Sequence, residues 1–201
     1  MAVSDLTSAA QDYLKVIWAC GEWSAAPVTT KQIADRVGVR PPSVSDAVRR
    51  LTEQGLVTHE RYGAVELTDA GRAHAVAMVR RHRLLETFLV HELGYAWDEV
   101  HDEAEVLEHA VSDTMIARID ERLGFPVRDP HGDPIPSADG DPRRPDARVL
   151  TGVETGLSVT VVRISDADPQ LLRHFADLRL GLDTGLTVLE SVPFTGTMTM
   201  P

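Results

Sequence analysis

The first seventy residues alternate between helical and extended patterns of hydrophobic positions. In residues 5–20 the apolar side chains recur every three or four positions, which predicts an amphipathic helix. Thr29 or Thr30 can cap a short second helix that ends at Gly38. A third helix is predicted from Arg40 to Leu51, with two prolines in its first turn. The apolar positions of the first helix are Leu6, Ala9, Ala10, Tyr13, Leu14, Ile17 and Trp18.

Two extended runs follow within residues 55–67, separated by a turn at Tyr62 and Gly63. Short runs of this kind, joined by a turn, predict a β-hairpin. A hairpin directly after a helix, a short turn and a second helix is typical of the wing of a winged helix. The pattern therefore predicts a winged helix-turn-helix at the start of the chain.

Helical periodicity resumes after the hairpin. Thr68 and Asp69 can cap a long helix to about Leu93, and Trp97 and Asp98 open another to about Val111. A further helix is predicted at roughly 112–123. Prolines then recur, which predicts a linker that is ordered only in part. They occupy positions 126, 130, 134, 136, 142 and 145.

The last fifty residues change character. Strands are predicted at 149–153, 157–164 and 185–190, and one short helix at about 168–178 interrupts them. This pattern predicts a small β-barrel-like module. The fold class expected for the whole chain is therefore mainly α, with a small β-rich C-terminal domain.

Composition restricts the class of protein. With 201 residues and 43% hydrophobic residues, the chain can bury a core and hold one or two domains. Its one cysteine, Cys20, excludes a disulfide framework and favours a reducing compartment. There is no signal-peptide pattern and no apolar run long enough for a membrane span, so we expect a cytoplasmic protein with no membrane contact.

Negative charge is concentrated in the middle of the chain. The formal net charge is -11, and residues 76–147 hold 8 Lys and Arg against 16 Asp and Glu. Such a segment repels itself until a cation neutralises it. A solvated acidic helix face is the alternative interpretation.

The same segment carries imidazoles and carboxylates at helical spacing. His82 and Glu86 are four residues apart, and the stretch from His101 to His109 adds Glu105 and Glu108. Because residues three and four apart share a helix face, each group could close on one cation. Oxygen and nitrogen ligands without a thiol suit manganese, ferrous iron, cobalt, nickel or zinc.

The predicted third helix has the properties of a DNA recognition helix. Its outward positions would reach base edges in the major groove, while basic residues contact phosphates. Asp46 fits such a surface only if it accepts a hydrogen bond from a cytosine amino group. The candidate DNA-binding residues are Thr30, Lys31, Arg40, Pro42, Ser43, Ser45, Asp46, Arg49 and Arg50.

Other classes of protein fit less well. The chain has no His-Glu-x-x-His pattern and no visibly activated nucleophile, so we expect neither an enzyme nor a small-molecule substrate. A metal-independent winged-helix regulator is the better rival. The remaining histidines without a partner pattern are His59, His74, His91 and His174.

The order of these features resembles the diphtheria toxin repressor and manganese transport regulator (DtxR/MntR) family of metal-dependent bacterial repressors. The resemblance rests on the winged helix, the motifs His82–Glu86 and His101–His109, the stretch 130–136 and the β-rich tail. It implies a DNA-binding domain at 1–70, a helical metal-binding and dimerisation domain at 71–128, a linker at 129–147 and an SH3-like (FeoA-like) domain at 148–201. In longer relatives that last domain continues for further strands, so it is expected to be incomplete here, with an open sheet edge.

The resemblance also implies a function and a regulatory site. A homodimer would bind a palindromic operator of metal homeostasis genes when divalent metal is present. The regulatory ligands that match are Asp12, Glu105, Glu108 and His109. An aspartate and a glutamate stand where iron-type members carry a methionine and a cysteine. We therefore expect activation by Mn²⁺, with Fe²⁺ second and Co²⁺, Ni²⁺ or Zn²⁺ able to substitute in vitro.

A second site matches the family's ancillary positions at His82, Glu86 and His101. Lys15 stands where short manganese regulators have an additional acidic ligand, so a closely paired two-metal site is not expected. The linker or the tail would complete the second site instead, and spacing alone does not choose among the candidates. These are Asp129, His131, Asp166, Asp168 and Gln170.

Overall fold

The structure is a computed structural model that describes residues 6–60, 63–137, 140, 144–192 and 197–199. The described residues form a mainly helical fold that divides into two compact units. The first unit comprises Met1–His82, Leu107–Ser112 and Pro136–Asp141, and the second comprises Arg83–Val106, Asp113–Ile135 and Pro142–Pro201.

The first unit has the element order predicted from the sequence, three helices followed by a short hairpin. The two hairpin strands are antiparallel, with Val57 opposite Leu67. The predicted turn at Tyr62 lies outside the described residues. The elements are α1 (Ser8–Glu22), α2 (Thr30–Val37), α3 (Pro41–Glu53), β1 (Val57–His59) and β2 (Val65–Leu67).

Local capping residues fix the bounds of the helix-turn-helix. The Thr29 side chain accepts a hydrogen bond from the Gln32 backbone N–H, and the Gln32 side chain accepts one from the backbone N–H of Thr29. This reciprocal pair satisfies N–H groups that would otherwise lack partners. Gly38 ends α2 with a φ of 72°, a left-handed conformation that favours glycine. Pro41 and Pro42 begin α3, where a missing N–H costs nothing.

The core of the first unit joins α1 to the inner faces of α2 and α3. Leu14, Ile33 and Val44 are fully buried, and they pack with Ile17 and Trp18 of α1. Burial of these side chains removes apolar surface from water, which is the main stabilising contribution to such a domain. α1 is therefore an integral part of the winged helix.

Two helical glycines of this unit have opposite surroundings. Gly71 lies in α4 (Asp69–Leu93), and a Cβ there would overlap the carbonyl oxygen of Leu56. That oxygen accepts a hydrogen bond from the Thr68 backbone N–H and cannot move away cheaply. Gly21 lies in α1 and has open space around its Cβ position among the described residues.

We expect Gly71→Ala to lower the free energy of unfolding by about 2–3 kcal/mol, because the added methyl overpacks against backbone. Gly21→Ala is the matched control and should raise it by about 0.5–1 kcal/mol, since alanine is the better helix former. Urea unfolding followed by circular dichroism measures both. Equal stability of the two variants would contradict the close packing of Gly71.

The second unit contains the end of α4, two shorter helices and the tail. α5 begins later than predicted, because residues 97–99 form a turn. Asp98 does not cap the helix; its carboxylate lies 3.1 Å from Arg173 instead. The other elements are α5 (Val100–Leu107), α6 (Asp113–Arg122), β3 (Ser158–Thr160), α7 (Pro169–Asp177), β4 (Gly185–Thr187), β5 (Glu190–Val192) and β6 (Thr197–Thr199).

The tail has less strand than predicted. Among the described residues, β3 pairs with β4 and β5 pairs with β6, both antiparallel. The predicted strand at 149–153 is wrong, because Leu150–Gly152 is a 3-10 turn closed by the hydrogen bond from Val153 N–H to Leu150 O. Only residues 158–160 of the predicted strand 157–164 pair as a strand.

Residues 128–135 of the proline-rich stretch form a buried loop. The side chains of Asp129, His131 and Asp133 are almost fully buried. Gly132 adopts a φ of 91°, and a Cβ there would overlap the carbonyl oxygen of Val162. The backbone N–H of Ile164 donates to His131 O at 2.9 Å. This loop is therefore packed against the tail within the second unit.

No helix in the described part of the chain is long and apolar enough to cross a membrane.

Candidate metal centres and nucleic-acid interface

Three predicted regulatory ligands meet in the first unit. Asp12 lies on α1, and Glu108 and His109 lie in the turn that follows α5. Each offers a ligand atom within 4.8 Å of the other two. His109 Nε2 is 2.9 Å from Asp12 Oδ1 and 3.7 Å from Glu108 Oε1. Two carboxylates and one imidazole nitrogen form a donor set suited to a divalent cation.

Gln11 fixes which nitrogen of His109 faces this cluster. The Gln11 side-chain Nε2 donates to the carbonyl oxygen of Leu6 at 3.0 Å, so its amide oxygen is the atom that faces His109. His109 Nδ1 lies 2.8 Å from that oxygen and must carry the proton. Nε2 is then the nitrogen directed at Asp12. A proton on the far nitrogen, held by an oxygen acceptor, is the arrangement found around metal-binding histidines.

Glu108 is fully buried and surrounded by positive partners. Lys15 Nζ lies 2.5 Å from Oε1, and His82 Nδ1 lies 2.6 Å from Oε2. Arg81 also donates to its backbone carbonyl at 3.0 Å. Burial alone would raise the pKa of the Glu108 carboxyl, but the hydrogen bonds and charges of His82 and Lys15 outweigh it and hold the pKa below its usual value. Glu108 is therefore an ionised carboxylate inside the fold.

A second cluster lies in the second unit. Glu86 of α4, His131 of the buried loop and Asp166 of the tail offer ligand atoms within 4.8 Å of one another. His101 Nδ1 is 3.3 Å from Glu86 Oε1 and 3.5 Å from Asp166 Oδ2. Four groups from four separate stretches of chain therefore lie close together.

The protonation of His131 tests whether a cation fits the cluster of Glu86, His131 and Asp166. Its Nε2 donates to the backbone carbonyl of Trp97 at 2.7 Å, so Nδ1 carries the lone pair. Nδ1 is fully buried and has no hydrogen-bond partner among the described residues. It lies 3.8 Å from Glu86 Oε2, which is also an acceptor. Two buried acceptors that face each other are unfavourable unless a cation lies between them, so the residues fit a metal ion.

The other second-site candidates have structural roles in this fold. Asp129 Oδ1 accepts hydrogen bonds from the backbone N–H groups of His131 and Asp133, both at 2.9 Å, and so shapes the loop. Burial first, and then the nearby Glu86, raise the pKa of Asp129 well above its usual value. Asp168 caps α7 by accepting from the backbone N–H groups of Gln170 and Leu171.

The other two predicted ligands each have a contact within their own unit. Glu105 belongs to the second unit, where its carboxylate lies 3.7 Å from His101 Nε2. His82 belongs to the first unit, where its Nδ1 contacts Glu108. Along α4, His82 remains one turn before Glu86.

Helix α3 presents a polar face. Pro42, Ser43, Ser45, Asp46, Arg49 and Arg50 are exposed, whereas Val44, Val48 and Leu51 face the core. Arg49 Nη1 lies 2.7 Å from Glu53, and its Nη2 lies 3.8 Å from Asp46. Exposed pairs of this kind are weak, so Arg49 can exchange them for a phosphate. Lys31 and Arg40 are exposed as well, and Thr30 is half-buried.

The sequence reasoning did not identify Gln11 or Trp97 as parts of these clusters. Gln11 orients His109, and the Trp97 carbonyl and ring orient His131, with the two rings stacked at an interplanar angle of 16°. The adjacency of Gln11 to Asp12 was a weak signal. The carbonyl of Trp97 carries no signal in the sequence, because any residue has one.

The fold and the two clusters define a winged-helix protein with candidate metal-ligand sets in both units. Two family models match the chain: the N-terminal DNA binding domain of iron dependent repressors at residues 5–65, and their metal binding and dimerisation domain at residues 68–137. The chain belongs to this family of metal-dependent transcriptional repressors, the DtxR/MntR family, as the resemblance in the sequence predicted.

Individual relatives agree with this assignment. The iron-dependent repressor IdeR of Mycobacterium leprae is 35% identical over 167 residues, which are 80% of this chain and 72% of that protein. The diphtheria toxin repressor of Corynebacterium diphtheriae is 33% identical over 193 residues, 89% of this chain and 84% of the relative.

Solved structures are similar over almost the whole chain. A manganese-dependent transcriptional repressor in complex with manganese is 62% identical, with a TM-score of 0.91 over 95% of this chain and 88% of that one. The manganese regulator SloR is 37% identical, with a TM-score of 0.79 over 96% of this chain and 88% of that one. The relatives described in these comparisons are repressors and regulators of transcription.

Proposed function

We propose that this protein is a Mn²⁺-activated repressor that binds, as a homodimer, to a palindromic operator of metal homeostasis genes. The observation that carries the proposal is the cluster of Asp12, Glu108 and His109, which joins a helix of the DNA-binding domain to the turn after α5. Oxygen and nitrogen donors without a thiol favour a hard cation such as Mn²⁺. The manganese-bound repressor that is 62% identical supports the same choice.

Fe²⁺ activation is the second candidate. Relatives at 35% identity are named iron-dependent repressors, and the same donors bind Fe²⁺. Since Mn²⁺ stands lowest in the intrinsic affinity order of divalent metals, geometry and supply must decide which ion acts in the cell.

A divalent cation, when bound, supplies positive charge that the Asp12 and Glu108 carboxylates can share. In its absence Lys15 of α1 neutralises Glu108, and Asp12 lacks a cation to share with it. Gln11 keeps the His109 lone pair on Nε2, directed at Asp12. The ligands together select one orientation of α1 and hence of α3, whose core side chains pack with it. Two such recognition helices in a dimer would then match half-sites about one helical turn apart.

The second site has a structural function in this proposal. Glu86, His131 and Asp166 would share a second cation with His101, and this would fix the buried loop and the tail to α4. His82 remains a proposed ligand of this second site, and Glu105 remains a proposed ligand of the regulatory site, on the strength of their spacing in the sequence. The tail is proposed to be an SH3-like domain that supplies Asp166 to this site.

The proposed DNA surface combines two kinds of contact. Ser43, Ser45 and Asp46 stand in the first two turns of α3, the position from which base edges are contacted. The phosphate contacts are assigned to Lys31, Arg40, Arg49 and Arg50, with Thr30 and Pro42 beside them.

Operator binding under controlled metal tests the proposed function. Fluorescently labelled promoter fragments of the chain's own gene and of metal homeostasis genes from the same genome are titrated with the protein, and binding is followed by fluorescence anisotropy. We expect tight binding with Mn²⁺ and at least about a tenfold loss with chelator, since coupling between two ligands is typically about 1–3 kcal/mol. Binding that is equal in Mn²⁺ and in chelator would instead support a metal-independent regulator.

A further inference from the structure

Lys15 forms an ion pair with Glu108, whose carboxylate the proposed regulatory metal would also bind. It lies three residues after Asp12 on α1, so both side chains project from one face of the helix. Its ammonium is 2.5 Å from Glu108 Oε1. The same Glu108 oxygen lies 3.7 Å from His109 Nε2, so it faces the cluster of Asp12, Glu108 and His109.

Lys15 and Glu108 are both buried, so their charges interact strongly with each other and with any nearby cation. The side chain of Lys15 is 11% exposed and that of Glu108 is 0% exposed, so solvent screens their interaction weakly. A buried ammonium needs a charged partner to remain in the fold. Here the partner is a carboxylate that also belongs to the candidate metal centre.

We propose that Lys15 is an intramolecular competitor of the regulatory metal, a positive charge that weakens the affinity for Mn²⁺ and raises the metal concentration at which the repressor responds. The inference rests on the proposed function, because it requires Mn²⁺ to bind Asp12, Glu108 and His109. In the metal-free protein the ammonium neutralises Glu108 and keeps it in place. When Mn²⁺ is bound, the same ammonium remains close to a second positive charge.

The size of the effect follows from the charges. Two unit charges about 4 Å apart interact strongly at the effective dielectric constant of about 20 that suits partly buried sites. Relaxation of the flexible lysine side chain reduces the repulsion but does not remove it. We therefore expect loss of the Lys15 charge to tighten Mn²⁺ binding about tenfold or more.

The test compares neutral and charged replacements in the full-length protein. Lys15→Gln removes the charge and keeps a hydrogen-bond donor, while Lys15→Arg keeps the charge. Arg36→Met removes a positive charge from an exposed position of α2. Free Mn²⁺ is measured by electron paramagnetic resonance during a titration of each protein. Mn²⁺ binding that Glu108→Gln abolishes is assigned to the cluster of Asp12, Glu108 and His109. The Mn²⁺ binding that remains in Glu108→Gln should be the same in all variants and serves as an internal control.

We expect Lys15→Gln to bind Mn²⁺ at the first cluster about tenfold or more tightly than wild type, and Lys15→Arg and Arg36→Met to match wild type. The rise in melting temperature on adding Mn²⁺ should also be larger for Lys15→Gln, because its metal-free form contains a buried carboxylate without its ammonium partner. Lys15→Met gives the same neutralisation if Lys15→Gln does not fold.

Unchanged or weaker Mn²⁺ binding by the neutral variants would overturn the inference while leaving the proposed function intact. If no protein, including wild type, shows binding that Glu108→Gln abolishes, the proposed regulatory site fails and this inference fails with it.

Discussion

Glu108→Gln is expected to abolish Mn²⁺-dependent operator binding while the protein stays dimeric. The substitution keeps the size of the side chain and removes the charge that would bind the cation. Mn²⁺ affinity at the first cluster should fall by more than the about 10–100-fold that loss of an outer-shell partner costs. Operator binding in Mn²⁺ should then resemble the binding of wild type in chelator.

The same substitution has an effect on stability that must be measured separately. Lys15 would lose its carboxylate partner in a buried position, which typically costs about 3–5 kcal/mol. Circular dichroism and size-exclusion chromatography report whether the variant remains folded and dimeric.

Two further variants control for this effect. Asp12→Asn removes a proposed ligand whose side chain is 35% exposed and leaves the Lys15 and Glu108 pair in place, so it should lose metal response with less loss of stability. Glu103→Gln changes an exposed glutamate of α5 and should behave as wild type. Tight, Mn²⁺-dependent operator binding by Glu108→Gln would show that the regulatory site is elsewhere.

Asp166→Asn is expected to weaken Mn²⁺ binding at the second cluster, which contains Glu86, His131 and Asp166. Asp166 is the carboxylate of the tail that approaches Glu86 and His131, and its side chain is 30% exposed, so the fold should tolerate the amide. We expect second-site affinity to fall by at least about 10–100-fold, as for loss of a supporting group around a metal. Equilibrium dialysis against Mn²⁺, with metal counted by atomic absorption, measures the bound metal per chain.

Asp168→Asn is the matched control for this experiment. Asp168 lies two residues further along the chain, but its carboxylate caps α7 and asparagine caps a helix equally well. We expect it to bind as much Mn²⁺ as wild type. The same loss of metal in both variants would mean that negative charge in the tail, and not the ligand position of Asp166, determines second-site binding.

Much of the helical domain organisation could be predicted from local signals. The caps at Thr29, Gly38 and Thr68 are predictable from neighbouring residues alone. In the structure, helices begin directly after Thr29 and Thr68, and α2 ends at Gly38. The predictions that failed depended on distant partners. Asp98 could cap α5 by its position, but it pairs with Arg173, which lies 75 residues later.

The candidate metal sites also contain residues that the sequence indicates and residues that only the fold identifies. Glu108 and His109 were recognisable because they stand three and four residues after Glu105, and Asp12 was added through the resemblance to the family. His131 and Asp166 were two of five equal candidates in the sequence. Only the fold distinguishes them, since the loop bond from Ile164 to His131 brings Asp166 to Glu86, 80 residues away in the chain.

The order of helices and hairpin, the polar face of α3 and the family are all predictable from the amino-acid sequence. Each of them depends on periodicity, capping or the order of motifs along the chain. Three features become visible only in the folded chain: which carboxylates and imidazoles meet, which nitrogen of His109 and of His131 carries the lone pair, and the ion pair of Lys15 with Glu108. These depend on contacts between residues far apart in sequence, whose distances are set by the packing of the core and not by local spacing.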